Sequence, residues 1–391
     1  MPRKKILWLC SWYPSKLMPF NGDFIKRHAE AASLYNDIRV IHIVRDTKGI
    51  ITKDIHTEES GKNGLNEKII YYYSQPSRIS VIDRFLSELK YRKLYKQAVA
   101  DHLDNSGVPD LTHVHVGMKA GTIARWLKKK KTIPYVISEH WSGFLPEASE
   151  KISDQPFYIR SLWRKVIAGA NAISAVSAHL AHAIQQQFGL KKVHIIPNVV
   201  DISIFYPAAS LSNDTRFIHI SGLEELKNPR TIIEAFAIVK KTYPSVVLDI
   251  FGPGEKQLKD LAAELQAEKN INFHNEIPQR ELAEFVRRSL ALILYSNYET
   301  FGCVIIEANA CGIPVVLSDI PVFHETVTEG LNGIFVKPND QVALAERMIE
   351  MIKTRSSFNS NAIVTTSSKY SYEKVGKQFN DWYDEILAKK T

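Results

Sequence analysis

The segment that decides the fold is residues 296–316, which read SNYETFGCVIIEANACGIPVV. It follows an apolar run at Ala291–Tyr295 that is typical of a buried strand, and it leads into a second such run at Pro314–Ser318. A helical pattern, Val304–Cys311, lies between the two runs. Strand, helix and strand in this order predict a parallel βαβ unit, whose helix begins near the carboxyl end of the first strand.

Two glutamates and a helix start give this segment its chemistry. Glu299 lies just before the helix and Glu307 lies within it. The first amides of a helix have no partner inside the helix and, together with the helix dipole, they attract a phosphate. The residues predicted to bind a phosphate in this way are Phe301, Gly302, Cys303 and Val304.

Paired glutamates are also typical of glycosidases, whose two carboxyl groups stand about 5–9.5 Å apart. Eight helical residues span about 12 Å, and positions eight apart differ by about 80° around the helix axis. This spacing favours two contacts to one long ligand. A diphosphate-linked sugar fits, with the sugar at Glu299, the diphosphate at the helix start and the ribose hydroxyls at Glu307.

The same alternation of strand and helix patterns runs through the first half of the chain. Seven apolar runs are predicted as strands: Ile6–Cys10, Ile38–Val44, Lys68–Tyr73, Leu111–Val116, Tyr135–Ser138, Ala172–Val176 and Val193–Ile196. Helical patterns lie between them at Asp23–Leu34, Ile82–Leu103, Ile123–Lys130, Phe157–Ala170 and Ala178–Phe188. The polar segment Asp46–Asn66 is predicted to be a surface loop.

A break at Pro197, Pro207 and the polar stretch 208–214 separates a second half with the same alternation. Its further predicted strands are Phe217–Ser221, Val246–Phe251 and Ile271–Phe273, and its further helices are Pro229–Lys241, Glu255–Glu268 and Gln279–Ser289. The predicted fold class is therefore α/β, with two doubly wound Rossmann-like domains, 1–205 and 206–370, that face each other across a ligand cleft. A last helical pattern, Ser371–Leu387, predicts that residues 371–391 cross back to the first domain.

Composition narrows the class of protein. Hydrophobic residues make up 45% of the chain and charged residues 24%, which is typical of a globular protein. The net charge of +8 predicts an anionic partner: a nucleotide, a phospholipid surface or a nucleic acid. Three cysteines (Cys10, Cys303 and Cys311) without a CxxC motif indicate neither a disulfide framework nor a zinc motif.

Localisation is predicted from the same features. No apolar stretch approaches the roughly 18 residues that a membrane span needs. The apolar run after Met1–Lys5 has five residues, Ile6–Cys10, which is too short for the core of a signal peptide, about 7–15 residues. We therefore expect a cytoplasmic protein, one that can associate peripherally with the inner face of the membrane.

The Glu299–Glu307 element, followed by Ala-x-Ala-Cys-Gly-x-Pro-Val-Val, resembles the donor-site motif of the family 4 retaining glycosyltransferases, which have the two-domain GT-B fold. Further landmarks of that family are matched at Ser11–Pro14 with Gly22–Ile25, Asp110–His115, Ser138–His140, Ser174–Ser177 and Ile196–Asp201. The resemblance covers almost the whole chain. It implies that Glu299 contacts sugar hydroxyls and that Glu307 holds the ribose of the donor.

The resemblance also assigns residues outside the motif. It implies that Lys227 binds the diphosphate, that His140 reaches the transferred sugar, and that Gly22 lets the backbone approach the donor. His140 and Glu299 are thus the expected catalytic residues. One position departs from the family, because Gly222 stands where an arginine usually precedes the lysine. Arg230, on the first turn of the next helix, is a candidate to supply the missing charge.

The implied reaction is transfer of a sugar from a nucleoside diphosphate sugar to a hydroxyl of a glycan or lipid-linked acceptor, with retention of configuration. Synthesis of a surface polysaccharide, lipopolysaccharide or glycolipid is the expected setting. No Asp-x-Asp pair is present, so we expect neither a metal nor any other cofactor. His113 and His115 share one strand face, but the sequence shows no third ligand beside them.

Alternative functions stay open on the sequence. A nucleotide-sugar epimerase or a phosphorylase could use the same double-sheet plan, and an epimerase would turn over the donor without an acceptor. A nucleic-acid-binding protein fits the sequence pI of about 9.1, but no recognition module is present and we expect no nucleic-acid partner.

Two basic tracts predict contact with an anionic membrane surface: Lys90–Lys96, which includes Tyr91 and Tyr95, and Arg125–Lys131. The alternative for both tracts is a helix face exposed to water.

Overall fold

The computed structural model describes residues 3–74, 80–209, 215–254 and 256–389. The chain forms two compact units, the first comprising residues 1–199 and 372–391 and the second residues 200–371. The division lies between Val199 and Val200, whereas the sequence suggested 205 and 206. Most of the polar stretch 208–214 that suggested this boundary lies outside the described residues.

The first unit is built on an eight-stranded sheet. Its strands are β1 (Lys5–Cys10), β2 (Asp37–Asp46), β3 (Ile55–Lys62), β4 (Leu65–Tyr73), β5 (Leu111–His115), β6 (Tyr135–Glu139), β7 (Ala172–Ala175) and β8 (His194–Ile195), in the order β3-β4-β2-β1-β5-β6-β7-β8. The helices between them are α1 (Asp23–Ser33), α2 (Ser80–Ser106), α3 (Ala120–Lys131), α4 (Phe157–Gly169) and α5 (Ala178–Phe188). Strand β1 is central, and Ile6–Cys10 are buried throughout because helices cover both faces of a parallel sheet.

The segment Asp46–Asn66, predicted as a loop, contains an edge strand. Strand β3 pairs antiparallel with β4, whereas the other pairs in this sheet are parallel. Nearly all side chains of β3 are exposed, so its sequence lacks the apolar alternation by which a strand is recognised. The Asp46 carboxylate holds the preceding turn by accepting hydrogen bonds from the amides of Gly49 and Ile51, each at 2.7 Å.

The second unit is built on a six-stranded sheet in which every pair is parallel. Its strands are β9 (Arg216–Ile220), β10 (Val247–Phe251), β11 (Ile271–His274), β12 (Ala291–Leu294), β13 (Val315–Ser318) and β14 (Gly333–Val336), in the order β11-β10-β9-β12-β13-β14. Its helices are α6 (Pro229–Thr242), α7 (Lys256–Glu264), α8 (Gln279–Arg287), α9 (Cys303–Ala310), α10 (Gln341–Thr354) and α11 (Ser360–Ser367).

Three of these elements, β14, α10 and α11, were not identified from the sequence. Helix α10 has a start signal, because the Asp340 side chain accepts a hydrogen bond from the Ala343 amide at 2.9 Å. The buried residues Leu344, Ala345, Met348 and Met351 follow at helical spacing. This helix could therefore have been predicted.

Helix α12 (Tyr372–Ala388) belongs to the first unit. Val375, Phe379 and Tyr383 are fully buried in the same apolar cluster as residues of β1 and α1. At Gly376 a Cβ atom would lie 2.2 Å from the carbonyl oxygen of Ala31, so only glycine allows α12 to approach α1 this closely. Within the described ranges, no helix combines the length and the apolar character that crossing a membrane requires.

Candidate functional site

In the second unit, two loops at the carboxyl ends of neighbouring strands bring Lys227 and Glu299 together. Strands β9 and β12 are adjacent in the sheet, so the loops that follow them begin side by side. The Lys227 ammonium group donates a hydrogen bond to Glu299 Oε1. The side chains are 18% and 12% exposed, so this ion pair is shielded from most of the solvent yet accessible to a ligand.

Backbone and amide contacts hold these two loops in register. Asn228 follows Lys227 in a left-handed conformation, with φ of 49°. Its Nδ2 donates to the carbonyl oxygen of Tyr295 at 3.0 Å and to Asn297 Oδ1 at 2.7 Å. The Asn297 amide in turn donates to the carbonyl oxygen of Leu226 at 2.8 Å. Asn228 and Asn297 thus position the ion pair, a role that the sequence gave no reason to assign.

The start of α9 has the form that the phosphate-site prediction requires. Gly302 precedes the helix with φ of 86°, a conformation that favours glycine. A Cβ atom there would also lie 2.9 Å from Ile305 Cδ1. Gly302, Cys303 and Val304 are half-buried and hence partly accessible. The backbone of these three residues is therefore accessible to an anion.

Phe301 differs from its neighbours in the predicted phosphate-binding segment. It is 3% exposed, and its ring packs edge-on against Tyr370 with a centroid distance of 5.6 Å. Its side chain therefore belongs to the core, and only its backbone is available to a ligand.

The remaining predicted residues of this unit lie in different environments. Glu307 is 4% exposed within α9, so a ligand reaches it only through a small opening. Arg230 is the second residue of α6 and is exposed, without an ion pair or side-chain hydrogen bond to any described residue. Its role as a substitute for the arginine missing at Gly222 stays a prediction.

In the first unit, His140 lies in a cluster of buried histidines, defined here as His28, His115 and His140. His115 ends β5, His140 follows β6, and His28 comes from α1. Their exposed fractions are 1%, 0% and 5% in chain order. His115 Nδ1 lies 3.4 Å from His140 Nε2. The fold therefore surrounds the residue predicted to reach the sugar with two further imidazoles that the sequence did not associate with it.

Burial keeps this histidine cluster uncharged. Desolvation lowers the pKa of His28 to about 4 and holds the pKa values of His115 and His140 well below the usual 6.5. The positive charges that the three rings would carry also oppose one another. At neutral pH the cluster consists of neutral imidazoles, each with one lone pair and one N–H group.

His113 lies next to the cluster but has different partners. Its Nδ1 is 2.7 Å from the Tyr383 hydroxyl and its Nε2 is 2.8 Å from Ser138 Oγ. Both ring nitrogens are therefore engaged, and His113 serves to join β5, β6 and α12.

Glu139 and Gly22 are two further residues of the family landmarks in the first unit. Glu139 is fully buried and accepts a hydrogen bond from the Gly117 amide at 2.7 Å, and burial raises its pKa to about 8. Gly22 precedes α1 with φ of 74°, and a Cβ atom there would lie 3.0 Å from the backbone of Trp12 and Tyr13. Local packing alone thus requires a glycine at this position, and its contact with a donor stays a prediction.

Two family models match this chain in consecutive segments. The model for Glycosyltransferase Family 4 matches residues 57–204. The model for Glycosyl transferases group 1 matches residues 201–365, which include Lys227, Glu299 and Glu307. The family resemblance stated from sequence motifs is therefore confirmed.

Individual relatives and solved structures are also similar to this chain. The D-inositol 3-phosphate glycosyltransferase of Frankia alni is 25% identical over 271 residues, which are 63% of this chain and 66% of that protein. The sucrose-phosphate synthase structure from Thermosynechococcus elongatus has a TM-score of 0.76 at 17% identity, covering 98% of this chain and 100% of that one. Anabaena HepE in complex with UDP has a TM-score of 0.72 at 19% identity, covering 97% and 100%. At these identities the structural likeness establishes the predicted GT-B fold.

Proposed function

This chain belongs to the family 4 glycosyltransferases of the GT-B fold, and we propose on that premise that it transfers a sugar from a nucleoside diphosphate sugar to an acceptor hydroxyl with retention of configuration. The ion pair between Lys227 and Glu299 is the observation that carries the proposal. It places a cation and a carboxylate side by side, next to the start of α9. Those groups match the diphosphate and the sugar hydroxyls of one donor.

Donor binding would divide the ion pair between two parts of the ligand. The Lys227 ammonium group would turn to the diphosphate, which carries more charge than one carboxylate, and a charge-assisted contact of this kind is strong. Glu299 would then accept hydrogen bonds from sugar hydroxyls, and Glu307 would accept those of the ribose. Because the partners hold each other in place beforehand, little side-chain freedom is lost when the donor binds.

The proposed chemistry depends on positioning and on charge stabilisation. Lys227 and the first amides of α9 would stabilise the departing diphosphate as negative charge develops on it. A phosphate oxygen of the leaving group would take the acceptor's proton on the same face of the sugar, so configuration is retained. His140, a neutral imidazole, would contact the sugar without adding charge. No metal or other cofactor is required in this scheme.

A thermal-stability screen with UDP, GDP, ADP and their sugars tests the donor site. A ligand that binds only the folded chain raises the melting temperature. UDP is the first to test, since Anabaena HepE has been solved with UDP and with UDP-glucose. The matched nucleotide should stabilise the wild type and Lys241→Ala, an exposed lysine of α6, but much less Lys227→Ala. Equal stabilisation of both variants would contradict the role of Lys227.

A product assay separates this proposal from its rivals. The matched donor should be consumed only when an acceptor is supplied, and the new glycosidic bond should keep the donor's anomeric configuration. Turnover of donor alone would instead indicate an epimerase. Binding of DNA without affinity for any nucleoside diphosphate would indicate a nucleic-acid-binding protein.

We further propose that the acceptor is a glycan or lipid-linked glycan at an anionic membrane surface, as in polysaccharide, lipopolysaccharide or glycolipid synthesis. The structure changes which residues can make that contact. Tyr91 and Tyr95 are buried in the core of the first unit. Lys90 donates to the carbonyl oxygen of Tyr73, and Arg92 pairs with Glu88.

Other residues of the first unit are free to contact a membrane. Phe85, Leu86 and Leu89 of α2 are 63%, 56% and 49% exposed. Lys93 and the run Lys129–Lys131 are exposed as well. Exposed apolar side chains with basic residues in the same unit are suited to anionic lipid headgroups.

Flotation with anionic and neutral vesicles tests this contact. The wild type should float with anionic vesicles at low salt and dissociate as salt is raised, because charges are screened over about 8–10 Å at physiological ionic strength. Replacing Lys129–Lys131 by glutamine should weaken flotation, whereas replacing the exposed Lys256 of α7 should not. Absence of flotation with both vesicle types at low salt would contradict the proposal and favour a soluble acceptor.

A further inference from the structure

We infer that His28, His115 and His140 form a binding site for a single transition-metal ion, best suited to Zn²⁺. The sequence suggested no such site, because His113 and His115 lacked a third ligand. The fold supplies His28 from α1 and His140 after β6, and it leaves His113 to other partners. One nitrogen from each of the three rings lies within 4.8 Å of the other two.

The spacing of the nitrogens suits tetrahedral coordination. With Zn–N distances of about 2.0–2.1 Å, two ligand nitrogens in a tetrahedron lie about 3.3 Å apart. His115 Nδ1 and His140 Nε2 are 3.4 Å apart. The third nitrogen has to move by on the order of 1 Å to close the site, which a side chain reaches by small rotations within its rotamer.

His28 is oriented in the way that metal-binding histidines are. Its Nε2 lies 2.9 Å from the carbonyl oxygen of Pro197, to which it must donate, since a carbonyl oxygen only accepts. The proton is therefore on Nε2, and Nδ1 carries the lone pair. This nitrogen is buried and has no hydrogen-bond partner among the described residues. Metal-bound histidines commonly donate their second nitrogen to a carbonyl oxygen in this manner.

The electrostatics of the cluster favour a metal over protons. Three neighbouring imidazoles with lowered pKa values offer lone pairs at neutral pH. Each buried nitrogen without a partner costs free energy in the folded chain. A bound cation would satisfy His28 Nδ1, which has no hydrogen-bond partner among the described residues. Three imidazoles without a thiolate or carboxylate suit Zn²⁺ and Co²⁺, and the fourth position would stay open for water or an anion.

His140 is the point at which a metal would enter the site and the residue through which it would affect transfer. It is the most exposed member of the cluster, at 5%, so the metal would enter past it. A metal that holds the His140 imidazole would keep it from the sugar. On the basis of the proposed function, Zn²⁺ is therefore expected to inhibit transfer, and a chelator is expected to restore it.

Cobalt provides a test that does not depend on catalysis. The full chain, free of affinity tags, is treated with chelator, desalted and titrated with Co²⁺, whose visible absorption is intense in a tetrahedral site. We expect saturation at one Co²⁺ per chain and displacement by Zn²⁺. His28→Gln and His115→Gln should each bind Co²⁺ at least tenfold more weakly. His182→Gln, which changes an exposed histidine of α5, should bind as the wild type does.

The outcomes are distinguishable. The melting temperature of each variant without metal shows whether it is folded. Because two cluster variants are tested, the result stands even if one of them fails to fold. Absence of saturable one-to-one binding in the wild type would overturn the inference and leave a hydrogen-bonded pair of neutral imidazoles. Binding of equal strength in a folded His28→Gln variant would also overturn it. If the metal binds but no transfer is found with any donor, the proposed function fails and the metal site stands.

Discussion

The two units share an architecture of parallel strands and helices but place opposite chemistry at their strand ends. Among the described residues, the first unit buries five histidines, namely His28, His42, His113, His115 and His140, whereas the second buries one, His219. The second unit instead presents the ion pair of Lys227 and Glu299. The first unit thus offers neutral rings and the second full charges.

This contrast also shows how the fold sets the ionisation of a side chain. The histidines of the first unit stay neutral because desolvation opposes their charged form. Lys227 and Glu299, which are less deeply buried, form an ion pair with each other. At these two sites the more deeply buried side chains are neutral and the less deeply buried ones are charged.

The largest expected effect comes from removing the carboxylate of the ion pair. Glu299→Ala should reduce transfer by at least a hundredfold, about 3 kcal/mol in the barrier, because the sugar loses a hydrogen-bond acceptor. Nucleoside diphosphate should still bind, since Lys227 and the start of α9 are unchanged. Steady-state kinetics and nucleotide titration measure the two effects. Near-normal turnover in the folded variant would show that Glu299 only pairs with Lys227.

A smaller effect is expected on the stability of the first unit when the pH is lowered. The pKa of His28 is about 4 in the folded chain and about 6.5 when unfolded. Below pH 6.5 the unfolded chain takes up a proton that the folded imidazole does not, so stability present above pH 6.5 is lost as the pH falls towards 4. Between pH 7 and pH 5 the free energy of unfolding should therefore fall by roughly 2 kcal/mol more in the wild type than in His28→Gln.

Urea unfolding at the two pH values, with His182→Gln as the control, measures this difference. The same loss of unfolding free energy in the wild type and in His28→Gln would show that His28 titrates normally. The contrast between neutral groups in the first unit and charged groups in the second would then depend on the other buried histidines of the first unit.

Glu307→Ala should weaken binding of the free nucleotide by about tenfold, roughly 1.4 kcal/mol, because the ribose hydroxyls lose their acceptor. Calorimetry measures the affinity of each variant for the nucleoside diphosphate and for pyrophosphate, which is the diphosphate part of that ligand. Pyrophosphate has no ribose, so its affinity should not change. Equal weakening of both ligands would point to a disturbed α9 instead of a lost ribose contact.

The smallest expected effect is that of a chelator on transfer. If Lys227 and the α9 amides provide the positive charge for the diphosphate, as we propose, activity should survive an excess of chelator. Loss of activity that is recovered with Mg²⁺ or Mn²⁺ would show that a metal ion holds the diphosphate. It would also remove the reason for assigning Lys227 to that role.

The sequence predicted the elements that carry strong local patterns, and it did less well for those set by long-range contacts. Strand β1 and helix α9 were predicted within two residues of their bounds, because apolar runs and glycine signals mark them. Strand β3 was missed because an exposed edge strand has no buried face. Its pairing with β4 is a property of the fold and not of its own side chains.

The candidate site divides in the same way. Glu299, Glu307 and Gly302 could be named as candidates because they lie in one continuous motif, and their contacts with a donor stay predictions. His28 was not associated with His140, because the two are 112 positions apart and meet only through the packing of α1 over the sheet. Asn228 was likewise missed, since its function is to join loops that follow different strands.

Helix α12 has a consequence for how the chain is made. The first unit contains residues from both sides of the second, so 172 residues, from 200 to 371, separate α12 from the rest of its core. During synthesis the second unit emerges whole and can fold at once, whereas the apolar residues of β1 and α1 have to wait for Phe379 and Tyr383 of α12 to cover them. Domains generally fold in the order in which they are synthesised. Here the unit that begins first is the one completed last.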